Sequence, residues 1–211
     1  IIKLAYILYT GSTTKSSRSN LYLDSLLDAQ KTLPHRKVSD VPDFEVKVPV
    51  EGVPNLKLRV TFTGGKLTHQ RSPDRHGDCE GPLKLVGSAF IKCTIELCSF
   101  EAHYPQGQHF GQFFTPQEKV SVLAHSLRIV AKVEFRHFNE NMTEQVRVTV
   151  DEAGVPVTLV RLEPDVDSMR QLHMFRPAVI SKIASVLSNS IPEILADRLI
   201  LAMDYVRFPL Q

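Results

Sequence analysis

The stretch from Leu83 to Leu97 alternates between two kinds of side chain without a break in parity. Its odd-numbered positions carry apolar groups or glycine, whereas most even-numbered positions carry lysine, serine, threonine or glutamate. Strict alternation is typical of a β-strand with one buried face. Fifteen residues would span roughly 50 Å, whereas strands usually have about 5–6 residues. The stretch is either one long curving strand or two strands with a turn at Gly87, and the unbroken parity favours the curving strand.

Other segments of the chain alternate in the same way. The longest of them, Ser121 to His137, again carries most of its apolar side chains on odd-numbered positions. Shorter alternating segments are found at 44–50, 56–63, 144–150 and 155–162. Proline cannot donate a hydrogen bond to a neighbouring strand, so Pro49 confines the first of these to a sheet edge. We predict a sheet whose two longest strands turn their odd-numbered side chains inward, with Ser99 to Gln117 as an extended connection.

The C-terminal part of the chain changes to helical periodicity between Pro177 and Val206. Apolar side chains recur there at a period near 3.6, and the segment would reach about 45 Å as a helix. Pro192 requires a kink or a restart, and Ser190 with Glu193 forms a capping-box sequence. The segment by itself therefore allows a pair of ordinary core helices. The long one-sided sheet before it needs an equally long apolar partner, which favours a spine that the sheet wraps.

The order of the elements predicts an α+β fold in a single elongated domain. Strands grouped before helices indicate a mostly antiparallel sheet, here strongly curved around the long C-terminal helix. The apolar opening IIKLAYILY is interpreted as an ordered helical turn of the mature chain rather than the tail of a signal peptide. Within the domain at 1–211 we expect an N-terminal segment and loop at 1–19, a helix capped by Asn20 at 20–33, the curved sheet at 44–162 and the C-terminal helices at 165–206.

Composition and motifs argue against several classes of function. The net charge is only +2 and the basic residues are scattered, so a nucleic-acid partner is not expected. The chain has no run of 18 apolar residues, so no transmembrane segment is predicted. Its eight histidines show no metal-ligand spacing, and no nucleophile elbow or phosphate-binding glycine motif occurs. We therefore predict neither a metal site nor a catalytic site, and no required cofactor.

The three cysteines, Cys79, Cys93 and Cys98, allow at most one internal disulfide. Parity places Cys93 inward and Cys98 outward. Within one strand these two would lie about 16 Å apart, which is too far for a bond. Cys79 is then the partner of one of them. A bridge to Cys98 is preferred, because a loop cysteine reaches an outward side chain more easily.

The chain resembles the tubular lipid-binding proteins, which include the bactericidal/permeability-increasing proteins, the insect takeout and juvenile-hormone-binding proteins and the group 7 mite allergens. The resemblance rests on element order over residues 20–206 and on two local stretches, Val41-Pro-Asp-Phe-Glu-Val-Lys-Val leading to 56–67, and 180–198. It is strongest to the single-domain arthropod members. Takeout proteins carry an N-terminal disulfide, whereas this chain has no cysteine before Cys79, which favours the allergen-like branch. The resemblance implies half of a tube that binds lipids without catalysis.

We therefore expect a secreted, non-enzymatic carrier of a fatty acid, terpenoid, carotenoid or similar molecule, held in an apolar cavity between sheet and helix. The alternative is a structural, surface-active or interaction protein with the same fold and no stored ligand. Secretion would make the sequon at Asn141 a glycosylation site, and homo-oligomer formation is left open. The candidate cavity residues are Leu58, Val60, Phe62, Leu85, Ala89, Ile91, Leu127, Ile129, Phe135, Ile180, Ile183, Leu187 and Ile194.

Overall fold

A computed structural model describes residues 15–33, 38–69, 71–110, 119–164 and 172–210. Its strands form one open antiparallel sheet of ten strands, followed by a long C-terminal helix. The predicted α+β class and the antiparallel sheet are confirmed. In chain order the helices and strands are α1 (Lys15–Thr32), β1 (Val38–Asp40), β2 (Phe44–Pro49), β3 (Lys57–Thr63), β4 (Lys66–His69), β5 (Asp74–Arg75), β6 (Glu80–Leu85), β7 (Ser88–Phe110), β8 (Val120–Phe138), β9 (Thr143–Val150), β10 (Thr158–Glu163) and α2 (Phe175–Met203).

The strands β7 and β8, of 23 and 19 residues, form the centre of the sheet. They pair with each other from Ser88 opposite Phe138 to Gly107 opposite Val120. The other side of β7 pairs in turn with β6, β5, β4 and β3, while the other side of β8 pairs with β9 and β10. Two exceptionally long strands are thus present, as the alternation predicts, and β2 ends the strand order beside β3 as the predicted edge strand.

A tight hairpin, not a continuous strand, occupies the region around Gly87. The turn at Val86 and Gly87 joins β6 to β7 and pairs Leu85 with Ser88, and the positive φ of 76° at Gly87 suits glycine. A two-residue turn puts the odd-numbered side chains of β6 on the same face as the even-numbered ones of β7. Leu83 and Leu85 are therefore exposed, and the prediction of an unbroken strand from Leu83 was wrong.

Both central strands also change the face that they bury near their middle. In β7 the buried positions after Ser88 are odd up to Leu97 and even from Phe100, and Ser99 between them has a φ of 57°. Since β7 continues to Phe110, the predicted extended connection after Ser99 was wrong for residues 99–110, and residues 111–118 lie outside the described ranges. In β8 the even positions are buried before Leu127, which is itself 71% exposed.

The C-terminal spine is one helix of 29 residues, with Pro177 in its first turn and Pro192 inside it. The predicted restart at Ser190 was wrong, because that residue is buried within the helix. The proline ring leaves the carbonyl of Ser188 without its usual helical donor, yet helical structure continues to Met203. A stripe of apolar side chains at four-residue spacing is buried along α2: Phe175, Val179, Ile183, Leu187, Ile191, Leu195 and Leu199.

The helix α2 contacts both flanks of the sheet as well as α1. It packs against β2 on one side and against β9 and β10 on the other. Because these strands lie at opposite ends of the strand order, the sheet must bend around the helix to reach it from both sides. By length and composition alone α2 could cross a membrane, but its buried stripe is what a core helix shows.

The first helix begins at Lys15, so Asn20 lies inside it and not at its predicted cap. The Asn20 side chain instead donates to Asp78 at 2.7 Å and accepts from the backbone N–H of Cys79 at 2.7 Å. These two bonds hold α1 against the loop before β6. Residues 1–14, which include the apolar opening segment, lie outside the described ranges.

The disulfide joins Cys79 to Cys93, and Cys98 is a free thiol. Cys79 is a bonded cysteine as predicted, but the preferred bridge to Cys98 was wrong. The β6–β7 hairpin explains the difference, because Glu80 pairs with Lys92 and brings the preceding residue next to Cys93. Both bonded cysteines are buried, so the hairpin folds Cys79 to the inner face of the sheet.

Candidate functional site

The candidate cavity residues mostly pack against one another in the core. Leu85 and Leu127 are exposed, with 55% and 71% of their surface accessible, so neither lines the interior. Ile180 and Ile194 are partly buried at the margin of the core. The remaining nine are buried: Leu58, Val60, Phe62, Ala89, Ile91, Ile129, Phe135, Ile183 and Leu187.

Aromatic rings fill the space between these residues and the helices. The ring of Phe62 lies 4.9 Å from that of Phe44 and 6.5 Å from that of Phe175 on α2. The ring of Phe135 meets that of Tyr22 on α1 edge-on at 5.3 Å. Side chains therefore fill the space in which the sequence predicted a ligand. With this packing, a ligand must bind elsewhere or must separate the helices from the sheet.

Two adjoining clefts open beside the C-terminal half of α2, and we call them together the Arg198 seam. They share His69, Pro73 and Arg198. The first cleft also contacts the end of α1, and its other lining residues are Gln30, Lys31, Leu33, Ser72 and Leu201. The second reaches the core between β7 and α2, and its other lining residues are Arg71, Leu97, Phe100, Ile191, Ile194 and Leu195.

The Arg198 seam is narrow in this state. Its two clefts have cavity volumes of about 40 and 20 Å³, whereas small-molecule pockets commonly have about 300–1,000 Å³. Each could hold a water molecule, for which about 10–15 Å³ suffices, but neither could hold a lipid without widening. The interior cavity expected from the sequence is thus reduced to two small clefts that meet at Arg198.

Arg198 lies between an apolar wall and His69 at the end of β4. Its Nη1 is 2.6 Å from Nε2 of His69, and the His69 ring lies 6.2 Å from that of Phe100. A guanidinium is always a donor, so Nε2 accepts and the imidazole is neutral with its proton on Nδ1. Burial lowers the pKa of Arg198, because a half-buried cation has lost part of its hydration.

The charged side chains that line the seam are basic. Lys31, Arg71 and Arg198 line it, and no aspartate or glutamate is found among its described lining residues. Lys31 forms a salt bridge with Asp28 at 2.8 Å, and the side chains of both residues are well exposed. The cationic character inside the seam therefore comes chiefly from Arg198, with Arg71 beside it.

Two larger concave surfaces are polar and open to water. One, of about 500 Å³, lies on the sheet and is lined by both signs of charge, including Lys92 and Glu134, which approach to 3.9 Å. The other, of about 410 Å³, lies between β2 and α2 and is lined by Glu45 and Lys182 among others. Charges of both signs line each surface, and although Pro42, Phe44 and Val186 contribute apolar area to the second, both are wide open to water and suit a hydrophobic ligand poorly.

The sequence analysis singled out neither Arg198 nor His69 as a candidate site residue. One signal for Arg198 is available in the sequence: it follows Ile194 and Leu195 by four and three residues, and so lies beside the buried stripe. Nothing local to His69 indicates its partner, since the two residues are 129 positions apart.

Two further features concern sites of other kinds. Within the described ranges no group of three His, Cys, Asp or Glu side chains could hold a metal ion. Asn141 is exposed in the turn between β8 and β9, and its Oδ1 accepts from the hydroxyl of Thr143 at 2.6 Å. The sequon is therefore accessible, and its glycosylation stays a prediction.

Comparison with known proteins gives distant structural likenesses. No protein-family model matches the chain, and no curated protein matches it significantly. A crystal structure of a lipopolysaccharide binding protein matches with 14% sequence identity and a TM-score of 0.42, over 87% of this chain and 38% of that one. The chain thus spans well under half of that protein's length, and at this level the likeness does not decide family or function.

Proposed function

We propose that the protein is a non-enzymatic carrier that binds one hydrophobic or amphipathic small molecule, such as a fatty acid, in the Arg198 seam. The observation that carries the proposal is the second cleft of the seam, which is lined by Leu97 and Phe100 of β7 and by Ile191 and Leu195 of α2. The clefts are partly open to solvent, and buried core residues such as Leu97, Ile191 and Leu195 line the second of them.

Opening the seam requires no break in backbone pairing. The backbone of α2 is hydrogen-bonded within the helix, so α2 is held on the sheet by side-chain packing. An acyl chain that enters between Ile191 and Leu97 replaces one set of apolar contacts by another. Each methylene removed from water contributes about 0.8 kcal/mol, so a chain of about ten methylenes gives a gross gain of about 8 kcal/mol. This gain opposes the free-energy cost of separating α2 from the sheet.

The environment of this carrier would be extracellular. A disulfide between Cys79 and Cys93 suits an oxidising compartment, since cytosolic thiols are kept reduced. The exposed sequon at Asn141 is compatible with the same route. We accordingly propose secretion, no catalytic activity and no required cofactor.

The test is ligand extraction followed by a blocking substitution. Protein from a eukaryotic secretory host is extracted with organic solvent and the extract is analysed by mass spectrometry, while the purified protein is titrated with the fluorescent fatty acid cis-parinaric acid. Ile194→Trp fills the cleft and is expected to lower probe affinity at least about tenfold, the equivalent of 1.4 kcal/mol. Ile200→Trp, on the same helix at a position 50% exposed, is the matched control and is expected to leave affinity unchanged. An empty extract together with no saturable probe binding would overturn the carrier proposal.

A second candidate is a surface-active protein without a stored ligand. The observation favouring it is a group of exposed apolar side chains at adjacent hairpin tips, where Val86 is fully exposed and Leu85 and Met142 are 55% and 69% exposed. The two tips are joined by a hydrogen bond from the N–H of Asn139 to the carbonyl of Gly87 at 2.9 Å. This candidate predicts that Val86→Ser with Met142→Ser weakens adsorption at an air–water interface, whereas Ile194→Trp does not.

A further inference from the structure

We infer that the ligand of the Arg198 seam carries an acceptor oxygen near one end, such as the carbonyl of a ketone, an ester or a fatty acid, and that the side-chain amide of Gln30 donates a hydrogen bond to it. The inference rests on the proposed carrier function and names the chemical class of its ligand. Alkanes, carotenes and terpene hydrocarbons have no acceptor oxygen and fall outside this class.

Gln30 continues the buried face of α1 into the last turn of that helix. Leu23, Leu26 and Leu27 on this face are buried, and Gln30 follows the last two by four and three residues, so the helical period places it beside them. Only 7% of the surface of Gln30 is exposed. An apolar side chain would fill this position equally well, so packing alone does not account for an amide here.

The amide nitrogen of Gln30 is buried and has no hydrogen-bond partner among the described residues. A glutamine amide carries two donors, and a buried donor without an acceptor is unfavourable. Gln30 lines the first cleft of the seam beside Leu33, Pro73 and Leu201, and the residues described along that cleft include no carboxylate. An acceptor for this amide therefore has to enter the cleft from outside.

The cations of the first cleft already have polar partners. The pKa of Lys31 is raised, chiefly by its hydrogen bond to Asp28 and further by Asp74 and Asp24. Arg198 donates to the imidazole at the end of β4 at 2.6 Å. Charge on the ligand is therefore not required at this site, and the neutral amide is the group that can distinguish an oxygenated chain from a hydrocarbon of the same length.

One molecule can contact both clefts, because they share three lining residues. The first cleft would receive the end that carries the oxygen, and the second, lined by Phe100, Ile191 and Leu195, would receive the chain. A hydrocarbon that fills both clefts excludes water and leaves the donors of Gln30 unpaired, whereas a carbonyl oxygen pairs with one of them. The seam thus favours the oxygenated chain by the strength of one hydrogen bond.

The test compares two ligands of equal chain length that differ in one oxygen. 2-Tetradecanone and tetradecane each displace the fluorescent probe N-phenyl-1-naphthylamine from the wild-type protein and from Gln30→Met, and the ratio of their dissociation constants is determined for each protein. Comparing this ratio between proteins cancels the different hydration of the two ligands. We expect it to shift about tenfold in favour of tetradecane in Gln30→Met, as the loss of one buried hydrogen bond can give. Gln30→Leu removes the amide with a different side-chain shape and should give the same shift.

Controls separate this inference from the carrier proposal. Gln145→Met makes the same substitution at an exposed position of β9 and should leave the ratio unchanged. Without ligand, Gln30→Met should resist urea at least as well as the wild type, because it removes an unpaired buried donor; a clear loss of stability would assign the amide to the fold and overturn the inference. An equal ratio in the wild type and both Gln30 variants would overturn the hydrogen bond and leave the carrier standing. Displacement of the probe by neither ligand would overturn both.

Discussion

Cys98 on β7 pairs with Arg128 on β8 at the place where both strands exchange the face that they bury. On one side of this pair Leu97 and Ile129 are opposite each other and buried; on the other side Phe100 and Ser126 are. Because the two strands change together, their inner face stays buried on both sides of the exchange. A change in only one strand would have turned half of its apolar side chains to solvent.

The exchange of faces predicts opposite outcomes for two apolar residues two positions apart in β8. Leu127→Ala is expected to change the free energy of unfolding by less than about 0.5 kcal/mol, because the side chain is exposed. Ile129→Ala is expected to lower it by about 2–5 kcal/mol through the cavity left in the core. Urea unfolding curves of both variants check this, and a larger loss for Leu127→Ala would contradict the described register.

The disulfide predicts which thiol is reactive. Denatured but unreduced protein should incorporate one iodoacetamide, and peptide mapping should find it on Cys98. Removing the bridge by Cys79→Ala with Cys93→Ala opens a loop of 14 residues and should lower the free energy of unfolding by about 3 kcal/mol. Cys98→Ser is the control and keeps the bridge. Label on Cys93 instead would show that the disulfide joins Cys79 to Cys98, the pairing preferred from the sequence.

Arg198 is predicted to make a small net contribution to stability, because two effects of opposite sign meet there. Burial lowers its pKa, so the folded state disfavours its charged form, while its hydrogen bond to His69 at 2.6 Å stabilises the folded state. Arg198→Met removes both effects and should change the free energy of unfolding by less than about 1 kcal/mol. Arg75→Met is the comparison: Arg75 is paired with Asp24 at 2.9 Å, and its loss should lower stability by up to about 1 kcal/mol.

Two buried tyrosines predict a loss of stability at alkaline pH. The pKa of Tyr22 is raised by burial and then by the Glu144 carboxylate, and that of Tyr104 by burial and then by Asp43. A raised pKa in the folded state stabilises the protein fully below the unfolded value of about 10 and progressively less as pH rises above it. Absorbance at the phenolate band should show these two residues ionising after the others, together with unfolding. In the double variant Tyr22→Phe, Tyr104→Phe, the part of the phenolate absorbance that appears late should be lost. Its persistence would contradict the assignment of that absorbance to these two residues.

The sequence by itself determined the kinds of element and their order. Alternation and helical periodicity depend on neighbours a few residues apart, so they predicted the long strands, the edge strand at Pro49 and the amphipathic spine from Pro177. The inward parity of Ile91, Ile95 and Ile129 followed from the same rule and is confirmed. These predictions hold because one buried face imposes a local period on any strand or helix.

Only the tertiary structure decided where that local rule is interrupted and which distant residues meet. A two-residue turn at Gly87 and a face exchange at Ser99 preserve an alternating sequence while reversing the buried side, so parity could not reveal that Leu85 and Leu127 are exposed. The Cys79–Cys93 bridge and the contact of Arg198 with His69 arise from strand pairing and helix packing across the chain. Such contacts depend on the global arrangement of the elements, because the periodicity of a single element carries no information about which other element packs against it.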